Sequence, residues 1–152
     1  MRHHNFLQRA LLPLAAFALL AACGAKPVDD IRVENGWIAE IPPMIAVTAA
    51  LMTLYNDGDS ARYLVDASSP KAERIEVHRS FVVDELARME RQPQVEIPAR
   101  GSVEFSNGTG YHLMFYGTTP IRDGDRIPVD LKFRDGSVLS VDFEVRDRRK
   151  MG

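Results

Sequence analysis

Cysteine occurs once in these 152 residues, at Cys23, and the absence of a second thiol removes several chemistries together. No internal disulfide can form, no multi-thiolate zinc site can be built, and past Cys23 no thiolate is left for a blue-copper electron-transfer centre or a nucleophile. Positive charge is not in excess either: 19 basic side chains stand against 21 acidic ones, which excludes the electrostatic footprint of a nucleic-acid binder. Long hydrophobic runs are scarce. The longest, "ALLPLAAFALLAA" from Ala10 to Ala22, is well short of the roughly 20 apolar residues that a membrane-spanning helix needs. No serine, histidine and acid arrangement and no phosphate-cradling glycine loop stands out, so an enzyme is not expected.

What is present begins with the leader. "MRHHNFLQR" carries Arg2 and Arg9 and no acid ahead of that short apolar run, the layout of a secretory signal peptide over residues 1–22. The run ends in "LAAC", Leu20 to Cys23, which resembles the lipobox of bacterial lipoproteins, where the cysteine is acylated and becomes the mature N-terminus. Acylation would also consume an odd thiol that is a liability in an oxidising compartment. Each buried methylene of the acyl chains contributes about 0.8 kcal/mol to membrane attachment. The resemblance implies a periplasmic protein held to the membrane by lipid, and Gly24 after the cysteine, in place of Asp, points to the outer membrane.

Loss of residues 1–22 leaves 17 basic and 21 acidic side chains, a net charge of −4. Residues 23–30 then read as a lipidated polar tether, 31–147 as one domain, and 148–152 as a short polar tail. Within 31–147 the pattern is of short β segments between turn signals such as "NDGD", "SNGTG" and "RDGS". Alternation is clean where Leu139, Val141, Phe143 and Val145 interleave with Ser140, Asp142 and Glu144, placing apolar groups on one face. Only "DELARMER" suggests a helical turn. Many strands at short spacing argue for an all-β Greek-key sandwich or barrel.

Two histidines remain after the leader, His78 and His112, and both keep company with methionine. Ten residues separate His78 from Met89, twenty-two separate Met89 from His112, and one separates His112 from Met114. Residues two apart on a strand project from one face, about 7 Å apart, so His112 and Met114 can address one object. A mixed imidazole and thioether set selects a soft ion, Cu(I), over zinc or the hard cations. Taken singly, each of these residues reads as a half-exposed polar group or a core filler; their joint occurrence in an exported, thiol-free β domain favours the metal. Met44 and Met52 are further thioether candidates, Met52 better suited to the core and Met44, after "IPP", to an exposed place beside the site.

The pattern H-x10-M followed by H-x-M, with "ASSPKAERIEVH" before it and "IRDGDRIPVDLKFRDG" after it, resembles the periplasmic copper(A) chaperone family from about Trp37 to Val145. The resemblance implies a cupredoxin-like, immunoglobulin-like β-sandwich that binds one Cu(I) through His78, Met89, His112 and Met114. It also implies delivery of copper to an acceptor such as the copper centre of cytochrome c oxidase or its assembly factors, or a part in copper homeostasis. The twenty-two-residue spacing exceeds the family's usual twenty-one, and the loop Ser106–Gly110 is the place that absorbs an extra residue cheaply. The tail "RDRRKMG" has no histidine, so the additional Cu(II) site of some members is not expected. The rival reading is a structural or interaction lipoprotein on the same sandwich without metal.

Overall fold

The computed structural model describes residues 28–108 and 110–150; the expected signal peptide, Cys23 and most of the tether lie outside the described residues. Ten strands follow one another: β1 (Ile31–Ala39), β2 (Val47–Asn56), β3 (Arg62–Ser68), β4 (Arg74–Val83), β5 (Leu86–Arg91), β6 (Val95–Ile97), β7 (Gly101–Phe105), β8 (Gly110–Tyr116), β9 (Arg126–Phe133) and β10 (Val138–Arg146). A single 3-10 turn, Arg148–Lys150, is the helical element among the described residues.

Hydrogen bonding runs in the order β5-β4-β8-β7-β2-β1-β10-β9-β3-β6, with β8 also paired to β2. Strand β2 is long enough to serve two partners, its first half meeting β8 and its second half meeting β7. The sheet curls until its two halves face each other, β3 approaching β4 and β6 approaching β7. The two layers of the expected sandwich are thus joined into one rolled sheet, and β1 lies parallel to β10 while most other pairings are antiparallel.

Period-two alternation fills the space between the layers. Ile38, Leu54, Leu64, Leu113, Phe115, Leu131 and Phe143 are all but sealed from solvent, and each such side chain contributes about 1.5–3 kcal/mol by leaving water. The β10 alternation read from the sequence holds, with Phe143 and Val145 inward and Glu144 outward.

An irregularity in β1 decides what the opposite, outer face carries. Between Glu34 and Trp37 the register against β2 slips by one residue, and Asn35 takes φ +53°, the mark of a bulge. A one-residue slip reverses every following side chain. Val33 therefore packs toward the core before the bulge, Ile38 after it, and Trp37 and Ala39 turn outward to form a small separate cluster with Leu51. Gly36 sits where an added Cβ would come to 3.0 Å from the Phe143 ring, so the bulge is also the close approach of β1 to the core.

The segment "DELARMER" is not helical. Leu86–Arg91 is a strand paired with β4, and Asp84 and Glu85 have φ +51° and +63°, the signature of a two-residue type I′ hairpin turn. Helix-favouring side chains are overridden here by a tight turn whose twist matches its flanking strands.

Candidate metal centre

Strand β8 lies between β4 and β2, and its register against β4 sets the geometry. His78 stands opposite His112, Glu76 opposite Met114, and Arg74 opposite Tyr116. On the other side of β4, Ser80 faces Met89 and His78 faces Arg91. Alternation then places Glu76, His78, His112, Met114, Met89 and Arg91 on one face, since the residues between them on β4 and β8, Val77, Leu113 and Phe115, are buried in the core. Directly opposed side chains have Cβ atoms about 5 Å apart and diagonal ones about 7–8 Å. The four residues singled out in the sequence are thus brought to one patch, on the outer face of the sheet.

Two details of the strands shape the patch. His78 is in the interior of β4 and does not end a strand, because β4 runs on past it to form the hairpin. Met89 returns one pair beyond it, opposite Ser80, on a strand whose residues are all exposed.

Burial is graded across the patch. His112 is 9% exposed and Met89 is 48% exposed, with His78 and Met114 between them. Met52 is in the core as expected, and Met44 is 95% exposed in the loop before β2, where its neighbours Pro42 and Ile45 line a groove together with Met114.

The imidazoles carry the most informative chemistry. Nδ1 of His78 and Nδ1 of His112 are both buried and have no hydrogen-bond partner. Buried polar atoms are nearly always satisfied, and leaving one unpaired costs about 1–3 kcal/mol. Two such nitrogens on directly opposed residues are free of protein partners, and imidazole with the thioethers on the same face makes a donor set that fits a soft ion. Burial holds the His112 pKa below the usual histidine value, with further lowering by the charges of Arg148 and His78. His112 is accordingly kept neutral, the form that binds metal. Among the described residues no three His, Cys, Asp or Glu side chains converge to hold a metal, so a hard-cation cage is not built here.

Around this patch stand residues that the sequence reading did not single out. The Glu76 carboxylate lies 2.9 Å from His78 Nε2, and Arg74 Nε donates to its other oxygen at 3.0 Å. The pKa of Glu76 is lowered, first by the hydrogen bond from His78 and, against an opposing desolvation, by Arg74 and Arg91. Glu76 was legible as the residue two before His78 on the same strand, but only once β4 is known to be extended through both. A groove of about 340 Å³ runs beside Met114 along Ile41, Pro42, Ile45, Val47 and Arg148. A larger depression, about 510 Å³, lies further along the same wall between Glu40–Pro43, Pro120–Arg122 and Asp147–Arg149. It gathers prolines and the carboxylates of Glu40 and Asp147, both paired with Arg149, and no imidazole or thioether, so volume is a poor guide to this site.

Comparison with known proteins bears on the family and the fold. Residues 31–145 match the family described as "Putative lipoprotein LpqE-like". "Putative lipoprotein Lxx21020" of Leifsonia xyli subsp. xyli is 29% identical over 124 residues, covering 80% of this chain and 73% of that protein. The solution structure of apo-DR1885 from Deinococcus radiodurans is 30% identical, covers 95% of this chain and 97% of its own, and superposes with a TM-score of 0.63. Its Cu(I) form is 32% identical over 86% of each chain, with a TM-score of 0.61. The copper-bound PCuAC domain from PmoF2, at 15% identity, 82% and 98% coverage and a TM-score of 0.65, shares the fold. The chain belongs to the LpqE-like lipoprotein family, and its rolled all-β fold is that of the PCuAC domains.

Proposed function

We propose that this protein is a metallochaperone that carries one Cu(I) as cargo on His78, Met89, His112 and Met114. The observation that carries the reading is the opposed pair His78 and His112, each with a buried, partnerless Nδ1, on a face that also holds both thioethers. The Cu(I) form of DR1885, 32% identical, supports copper as the cargo. A neutral four-ligand set with two weak thioethers suits exchange of the ion with a partner better than storage, which favours thiolates. The acceptor in this reading is another copper protein, such as the copper centre of cytochrome c oxidase or an assembly factor for it. Residues 1–22 act as the signal peptide, residues 31–147 form the copper-binding domain, and acylated Cys23 holds the protein at the periplasmic face of a membrane, the outer one by the Gly24 rule.

Anaerobic Cu(I) titration with X-ray absorption tests the site: one ion per chain with two nitrogen and two sulfur neighbours is expected. A tighter fit to Zn(II), or copper held without sulfur, overturns it. Fractionation of Cys23→Ser tests the anchor separately. The variant should leave the membrane and keep its copper affinity, and persistence on the membrane would refute acylation at that residue.

A further inference from the structure

His78 has two ring nitrogens in different surroundings, and the difference selects which of them meets the metal. Nε2 lies 2.9 Å from Glu76 Oε2, a good hydrogen-bond length, and 3.5 Å from the Tyr116 hydroxyl, at the limit of one. Nδ1 is buried and has no partner. A carboxylate accepts and cannot donate, so Nε2 must carry the proton and Nδ1 the lone pair.

Glu76 is itself fixed. Oε1 receives Arg74 Nε at 3.0 Å and lies 3.8 Å from Arg91 Nε, which leaves Oε2 for the imidazole. The carboxylate side chain is 15% exposed and that of His78 is 13% exposed, so water competes little for either. Arg91 stands opposite His78 on β5 and Arg74 two residues before Glu76 on β4. Cations therefore hold the acid from both sides along the sheet.

We propose that Glu76 is a positioning residue for the copper site: it accepts the Nε2–H of His78, locks the ring and its tautomer, and presents Nδ1 to the ion. The proposal rests on the copper-site reading given above and deepens it. A carboxylate in this place also raises the basicity of the opposite ring nitrogen, as outer partners of ligating histidines do.

The test is nitrogen-15 NMR of imidazole-labelled protein, with and without Cu(I), on the wild type, Glu76→Gln and Glu76→Leu. In the apo wild type above the histidine titration range, His78 should be the Nε2–H tautomer. On addition of Cu(I), the coordination shift should fall on Nδ1 while Nε2 keeps its proton. Glu76→Gln, whose amide oxygen still accepts, should preserve the tautomer and most of the affinity. Glu76→Leu should release the tautomer and weaken Cu(I) about tenfold or more. A coordination shift at Nε2, or a Glu76→Leu protein with wild-type tautomer and affinity, overturns the positioning role while leaving copper binding in place. The absence of any shift at His78 and His112 together removes the copper site itself, and the positioning role with it.

Discussion

The two ends of the metal patch are built differently. On β8, His112 and Met114 sit in a strand paired on both sides, with Ala49 of β2 opposite Met114 and core side chains between them. On β5, Met89 sits in an edge strand that pairs only with β4 and is exposed along its whole length. The β8 end is fixed by packing that the whole domain shares, whereas the hairpin end can open without disturbing the core. In the proposed chaperone, which must accept and surrender an ion, this division would let one half preserve geometry and the other supply the replaceable ligand.

The sharpest way to break the contrast is at the fixed end. His112→Leu should lower Cu(I) affinity by more than about a hundredfold, beyond the loss typical of an outer partner. Apo stability should be unchanged or raised, since the substitution removes a buried nitrogen that lacks a partner. Competition titration and thermal melting of the apo protein read the two effects, and an unchanged affinity would exclude His112 as a ligand.

Acidification reaches the imidazole at the fixed end and spares the thioether of the hairpin end. Protons compete with metal for imidazole and not for thioether, so affinity should fall as acidification protonates the imidazoles, while the sulfur ligands are untouched. His112, its pKa lowered by burial, should surrender its share later than an unperturbed histidine. The same depression links pH to folding. Below about pH 6.5 the unfolded chain binds a proton at His112 that the folded chain refuses, so apo stability falls with pH until the depressed folded value is reached. Melting temperatures of the apo protein across this window, compared with those of His112→Leu, isolate the effect; identical slopes would refute it.

The methionines separate the ends more finely. Met89→Ala should weaken Cu(I) retention severalfold and leave the apo melting temperature unchanged, because its side chain is half exposed. Met114→Ala should do both kinds of damage, weakening copper and costing about 1 kcal/mol, below the range for fully buried methionine. Equal effects on stability would mean that the hairpin is as firmly held as β8.

The smallest effect is expected at the hairpin turn. Glu85 holds φ +63°, a conformation that costs a side-chain-bearing residue about 1 kcal/mol and glycine almost nothing. Glu85→Gly should tighten the hairpin by up to that amount and slow copper transfer to an acceptor, as read by amide exchange of β5 and by stopped-flow transfer. Faster transfer would reverse the assignment of the mobile end.

Much of this was legible in the chain itself, because period-two alternation reports strands directly and the spacing of His112 and Met114 places them on one face. Which strands lie side by side was not legible from spacing. His78 and His112 meet through a pairing between segments far apart in sequence, and nothing local in either encodes the register. "DELARMER" misled for a physical reason: Glu, Leu, Ala, Arg and Met all favour helix in isolation, but alternation with β4 and a turn with two positive φ angles decides the outcome. Glu76 was hidden as an ordinary polar residue, since its meaning depends on a contact with the ring two residues on and on cations from two strands.

The bulge in β1 has a spectroscopic consequence. By turning Trp37 to the outer face opposite Leu51, it sets the chain's single tryptophan two strand spacings, about 10 Å, from β8. An indole at that range, 8% exposed and on the same face as the imidazoles, would change its emission if an ion were bound at His112 as proposed. Loading of the proposed site would then be readable without a label, and a side chain at Gly36, pressed against the Phe143 ring, would disturb that reading.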